Sequence, residues 1–215
     1  MTMTSANKKI ILLSVTAVLL ILIVAAIAVI YLNEMNKDVV AVEINFLPED
    51  SVIDIYNPAE LVGAVDYVFV GNVDELIGTN YRPVAVIDGM GWSETIEDPF
   101  TNYTVTVLDN IKGDLVLNQQ VSVLKDGGLS RDGKTLTLYV NDSLPEPGSI
   151  YVFYIYAQPD GKLLASGSQS TQKIQTTDVS DLSQIQADPV YLKAVNGFEN
   201  QIVQNRTYYV GPIGN

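Results

Sequence analysis

The strongest feature of the hydrophobic pattern is an unbroken apolar run from Ile10 to Leu32, in which Ser14 and Thr16 are the only polar residues. As a helix it is roughly 34 Å long, enough to cross a hydrocarbon core of about 30 Å. Lys8 and Lys9 precede the run, whereas Glu34, Asp38 and Glu43 follow it with only Lys37. The positive-inside rule then places residues 1–9 in the cytoplasm, residues 10–32 in the bilayer, and the rest of the chain outside. The small-residue triplet Ala26-Ile27-Ala28 offers the alternative of a cleaved secretory signal. The run continues through Val29, Ile30, Tyr31 and Leu32, a length that favours a retained anchor.

Residues 33–56 read as a tether with alternating charge, Pro48 and the acidic pair Glu49-Asp50, although Val39, Val40, Val42 and Ile44 could add an edge strand. The exterior domain, 57–215, opens on Asn57-Pro58-Ala59-Glu60. Asn57 suits a helix cap and Pro58 the first helical position, while Glu60 can reach back to the cap amide. Leu61, Val62 and Val65 give that helix its buried stripe, and it leads into the strand Tyr67–Val70, which Gly71 bends or ends.

Alternation then dominates. Tyr103, Val105 and Val107, then Val121 and Val123, then Leu136, Leu138 and Val140 all recur at every second position, as strands with one face on a core require. Lys112-Gly113-Asp114, Asp126-Gly127-Gly128, Asp132-Gly133 and Pro147-Gly148 are the turns between them. Ile150 to Tyr156 is apolar or aromatic on both faces, which predicts a central strand, and Pro159-Asp160-Gly161 turns it into Leu163-Leu164-Ala165 as a hairpin. The period changes near the C-terminus: Asp188-Pro189 starts a helix carrying Leu192, Val195, Phe198 and Ile202, and Val179, Leu182 and Ile185 suggest a shorter helical piece before it. The predicted fold is mainly β: a small antiparallel OB-like barrel of five or six short strands, with a leading helix and a helical C-terminal segment.

Composition narrows the function. Hydrophobic residues are 47% of the 215 and charged residues 17%, which excludes a disordered polar chain. With 12 Lys and Arg against 25 Asp and Glu the net charge is -13, and removing Lys8 and Lys9 leaves -15 for the exterior part, so nucleic acid is not an expected partner. There is no Cys and no His, which excludes disulfides, a lipid-modified N-terminal Cys, thiolate nucleophiles, Cys/His zinc sites and imidazole bases.

The succession Glu60-Leu61-Val62, Asp66 to Gly71, Tyr103 to Val107 with Lys112-Gly113, Val121 to Val123 with Gly127-Gly128, and Pro147-Gly148 before Tyr151-Val152-Phe153 resembles a pattern in uncharacterised surface proteins of Gram-positive bacteria. It is also similar to the OB-like barrel of netrin-type domains and tissue inhibitors of metalloproteinases. The resemblance covers about residues 57–170 and implies a fold and a cell-surface setting. The chain lacks the cysteines by which the inhibitors engage a metal, so inhibition does not carry over.

Candidate chemistry is sparse. Ser170-Thr171-Gln172-Lys173 matches the S-x-x-K signature of penicillin-recognising enzymes, but so do Ser5 to Lys8 and Ser122 to Lys125, and the S-D-N and K-T-G partners are missing. A Ser/Lys peptidase of the signal-peptidase kind expects its serine just beyond the anchor, where the first exterior serine is Ser51. Glu94, Glu97 and Asp98 are close in sequence without implying a sugar cleft, and no calcium-loop template is met. Tyr151, Tyr154 and Tyr156 read as barrel core and rim. Leu76 to Phe100 reads as an insertion between core strands. Within it Gly89-Met90-Gly91-Trp92 could present a binding loop through Met90, Trp92 and Phe100; alternatively Val84, Val86 and Ile87 form another strand and Trp92 covers one barrel end. The sequence thus reads as a single-pass, non-enzymatic binding module. It needs no cofactor or metal, has the bilayer as partner through residues 10–32, and binds a surface protein or cell-wall component. An extracytoplasmic hydrolase and an accessory subunit of a membrane complex are the alternatives.

Overall fold

The computed structural model describes residues 41–49, 51–89 and 92–205, and of residues 84–89 and 92–96 the backbone alone. The expected tail, the anchor 10–32 and Met90 lie outside the described residues, as do Val39 and Val40. Among the described residues no helix is long and apolar enough to cross a membrane. The fold is mainly β, with nine strands and three helices among these residues.

Helix α1 (Pro58–Ala64) forms where the sequence places it, with the Asn57 side chain accepting from Ala59 N at 3.1 Å. Leu61, Val62 and Val65 are buried as expected. Glu60 does not take the cap amide. It accepts instead from the Asn57 side chain and from Asp54 N, because Asn57 N already donates to Asp54 O.

Strands β2 (Tyr67–Gly89) and β3 (Trp92–Lys112) overturn the expectation of short strands. Their antiparallel ladder runs from Val68↔Lys112 to Gly89↔Trp92, so the expected insertion 76–100 is a continuous two-stranded ribbon. Gly71 bends the strand without ending it. The register shifts between Val70 and Gly71, between Leu76 and Gly78, and beside Pro83, where residues that weaken or interrupt strands are absorbed as bulges. At Gly71 a Cβ would lie 2.4 Å from the Val105 side chain, so the absent side chain is what lets the two strands close there.

The other strands are β4 (Gln120–Asp126), β5 (Gly128–Leu129), β6 (Thr135–Tyr139), β7 (Ile150–Ala157), β8 (Leu163–Ala165) and β9 (Thr171–Lys173). Pairing runs β2-β3-β4-β8-β7, and β7 pairs back onto β2, so the ladder returns to its first strand. The β4–β8 contact is parallel and the other contacts of this circuit are antiparallel. The expected hairpin at Pro159-Asp160-Gly161 is present, closed by Gln158 N donating to Lys162 O. β9 pairs with β7 beside β8. A second, three-stranded sheet has the order β1-β6-β5, in which β1 (Glu43–Leu47) lies parallel to β6. Part of the expected tether is therefore a strand, held by one neighbour and exposed over most of its length.

Strand alternation builds two cores. Tyr151, Phe153 and Ile155 of β7 join Phe69, Tyr103, Val105 and Val123, with Phe69 and Phe153 stacked at 5.1 Å. Ile150, Val152 and Tyr154 face the other way, onto Val68, Val70 and the helices. This explains why β7 is apolar at every position. Each such buried side chain contributes about 1.5–3 kcal/mol.

Helices α2 (Leu182–Ala187) and α3 (Pro189–Glu199) complete the second core and are capped by Asp181 and Asp188. The expected stripe of α3 is corrected: Leu192, Phe198 and Ile202 are exposed, and the buried face carries Ala194 and Gly197, with Val190 and Tyr191 packed beside them. Close approach selects these small residues. A Cβ on Gly197 would lie 2.6 Å from Pro58 O, and one on Gly63 would lie 2.0 Å from Ile202 O.

Candidate functional site

The sequence-expected binding residues are not brought together. Trp92 pairs with Gly89 at the far end of the ribbon. Phe100 lies eight residues further along β3, about 26 Å of extended strand. It is half-buried and covered by the Arg82 guanidinium at 4.5 Å. Met90 lies outside the described residues, so no cluster of the three is described.

The S-x-x-K match at Ser170, already set aside for its missing partners, also lacks the geometry of a catalytic pair. Thr171 to Lys173 is strand β9, so Ser170 and Lys173 are not one helical turn apart. Lys173 pairs with Glu146 at 2.5 Å. Ser122 and Lys125 are both on β4. Glu97 is engaged by Arg131 through two hydrogen bonds of 2.6 and 2.9 Å. Among the described residues no cluster of three or more acidic groups could hold a metal ion.

A different part of the molecule gathers chemistry. Lys125, the penultimate residue of β4, is completely buried and paired with Asp142 at 2.5 Å, their side chains being 0% and 1% exposed. Its ammonium also donates to Gly167 O at 3.1 Å and to Asp126 O at 3.4 Å. Burial pushes the Asp142 carboxyl above the ordinary aspartate value, and Lys125 partly offsets this. Ser170 Oγ donates to the same Gly167 oxygen at 2.7 Å. The serine and the lysine of two different S-x-x-K matches thus meet at one carbonyl, but both are donors there. A serine nucleophile needs a neighbour that can take its proton, and an ammonium already paired with a carboxylate is not one.

Above this pair lies a pocket of about 450 Å³, within the usual range for small-molecule sites. Its apolar lining comes from Pro48 and Ile55 of the segment after β1, Leu61 of α1, and Pro159 and Leu164 of the β7–β8 hairpin. Its polar lining comes from Glu49, Tyr139, Ser166 and Ser170, with Ser51, Gln158 and Gln169. Asp126, which is 9% exposed, sits behind it and accepts from Tyr139 OH at 2.8 Å and from Ser166 Oγ at 3.0 Å on one oxygen, Oδ2. Burial, and then the nearby Asp126 carboxylate, raise the Tyr139 phenol well above its ordinary value, so it remains a donor. Glu49 is held in place by Ser168 N, which donates to its Oε2 at 3.0 Å.

Of these residues only Ser170 stood out in the sequence, and there as the serine of an S-x-x-K match. Glu49 read as tether charge. The usable signal is Lys125, a charged residue closing the otherwise apolar half of a predicted strand, which implies a buried partner. Compared with known proteins, the chain matches no family model and no curated protein.

Proposed function

We propose that this chain is a single-pass membrane-anchored module whose exterior domain is an OB-like barrel that binds a ligand in the Glu49–Tyr139–Ser170 pocket without transforming it. The circuit of five strands with one parallel contact supports the barrel. The apolar run 10–32 and its flanking charges support the anchor and an exterior location. The observation that carries the binding role is the pocket itself: apolar and polar side chains line it together, and the hydroxyl protons of Tyr139, Ser166 and Ser170 are already given to internal acceptors. Such a surface holds a ligand, and it presents no activated nucleophile. The partner is a surface protein or a cell-wall component.

A photo-crosslinking residue at Gln169, which lines the pocket, tests this in whole cells. A discrete adduct is expected, on protein that is also cleaved by externally added protease. Protease-resistant chain, or adducts formed equally well from exposed positions away from the pocket, would overturn the proposal.

A further inference from the structure

The direction of the hydrogen bonds around the pocket specifies what it can hold. Tyr139 OH and Ser166 Oγ both donate inward to Asp126, and Ser170 Oγ donates to Gly167 O. Each of the three oxygens has spent its single proton, and what it retains is lone-pair capacity. Glu49 adds a carboxylate whose Oε2 accepts from Ser168 N, while its Oε1 accepts no hydrogen bond among the described residues. These four groups are therefore acceptors toward a ligand, while Ser51, Gln158 and Gln169, which also line the pocket, carry donors as well.

Charge points the same way. Among the described residues Glu49 is the one lining residue with a formal charge, and none of them is Lys or Arg. Lys125 is buried behind the pocket and paired with Asp142, and among the described residues neither Asp126 nor Glu49 forms an ion pair. An anionic ligand would meet two negative groups in a partly buried site, where screening is weak. A neutral ligand could use the acceptors but not the charge. A divalent metal ion would find one lining carboxylate where calcium commonly takes six to eight oxygen ligands, several of them from acids. The apolar lining of Pro48, Ile55, Leu61, Pro159 and Leu164 adds a place for a hydrocarbon stem.

We infer that the pocket recognises a primary alkylammonium group of the lysine type, its charged end on Glu49, Tyr139, Ser166 and Ser170 and its aliphatic stem on the apolar lining. An ammonium has three donors and no acceptor, and so complements the Glu49 carboxylate and the lone pairs of the Tyr139, Ser166 and Ser170 hydroxyls. The inference rests on the binding role proposed above and names the chemistry of that site.

The test is binding of Nα-acetyl-lysine-N-methylamide to the full-length chain in detergent, followed by ligand-observed NMR, with the Nε-acetylated analogue as the uncharged match. The charged probe should bind at least about tenfold more tightly than the analogue, and Glu49→Gln should abolish that preference while leaving the thermal midpoint unchanged. Equal binding of the two probes would keep the pocket as a binding site and overturn the ammonium assignment, as would a preference that survives Glu49→Gln. Binding of neither probe would overturn the assignment together with the pocket's binding role.

Discussion

Lys125 and Asp142 hold one another in a place where neither could stay alone. A buried ion pair adds little net stability over an apolar pair of similar shape, but removing one partner strands the other charge. Asp142→Ala should therefore destabilise the domain by about 3–5 kcal/mol in urea unfolding, and Lys125→Met combined with Asp142→Leu should recover much of that loss. Gly167 is constrained in a different way. Its φ is +88°, and a Cβ there would lie 3.1 Å from Glu49 Oε1. Gly167→Ala should cost about 1–2 kcal/mol from the left-handed backbone alone. It should also displace the Glu49 carboxylate, so amine binding should fall more than the thermal midpoint suggests.

Among the elements, the two C-terminal helices depend on their caps. Asp188 accepts from Val190 N at 2.8 Å and from Gln175 N at 3.0 Å, joining α3 to the segment after β9. Asp188→Ala should cost about 1–2 kcal/mol, read from thermal unfolding. At α2, the Ser183 hydroxyl and then Gln184 N hold the Asp181 carboxyl below its ordinary value. A carboxyl depressed in the folded state stabilises above its unfolded value and loses that contribution as the pH falls through the folded one. Amide signals of α2 should accordingly broaden or shift below the ordinary aspartate range, before those of β7. If Asp181 titrates in NMR at the ordinary aspartate value, the cap is not engaged in solution.

These elements also show what local sequence can and cannot convey. The Asn57 and Asp188 caps, the β7–β8 turn and the doubly apolar β7 were legible because each depends on neighbours within a few residues. The length of β2 and β3 was not, since Gly71, Gly78 and Pro83 interrupt strands in general and here sit at bulges that only the partner strand reveals. The exposed stripe of α3 misled because close helix contact, at Gly197 against Pro58, was satisfied by small residues instead of large ones. The pocket was illegible as a site: it is assembled from five stretches between Pro48 and Ser170, and the orientation of its protons is set by Asp126, which no motif contains.

For the molecule as a whole, stability is unevenly distributed. β7 is bordered by β2 on one side and by β8 and β9 on the other, whereas among the described strands β1 pairs with β6 alone. Hydrogen exchange should therefore release the amides of β1 and β5 well before those of β7, through local opening that leaves the strand circuit intact. Simultaneous release of all three strands would show that the two sheets unfold as one unit.

The single-neighbour attachment of β1 has a mechanical meaning. A pull transmitted along the chain from its N-terminal side loads the five-residue β1–β6 ladder before any other described strand, and the residues that follow at once are Pro48 and Glu49 of the pocket. β1 is placed to act as a tension-sensitive clasp: under stretch it should peel first, take Pro48 and Glu49 with it, and let go of whatever is bound while the strand circuit behind it keeps its shape.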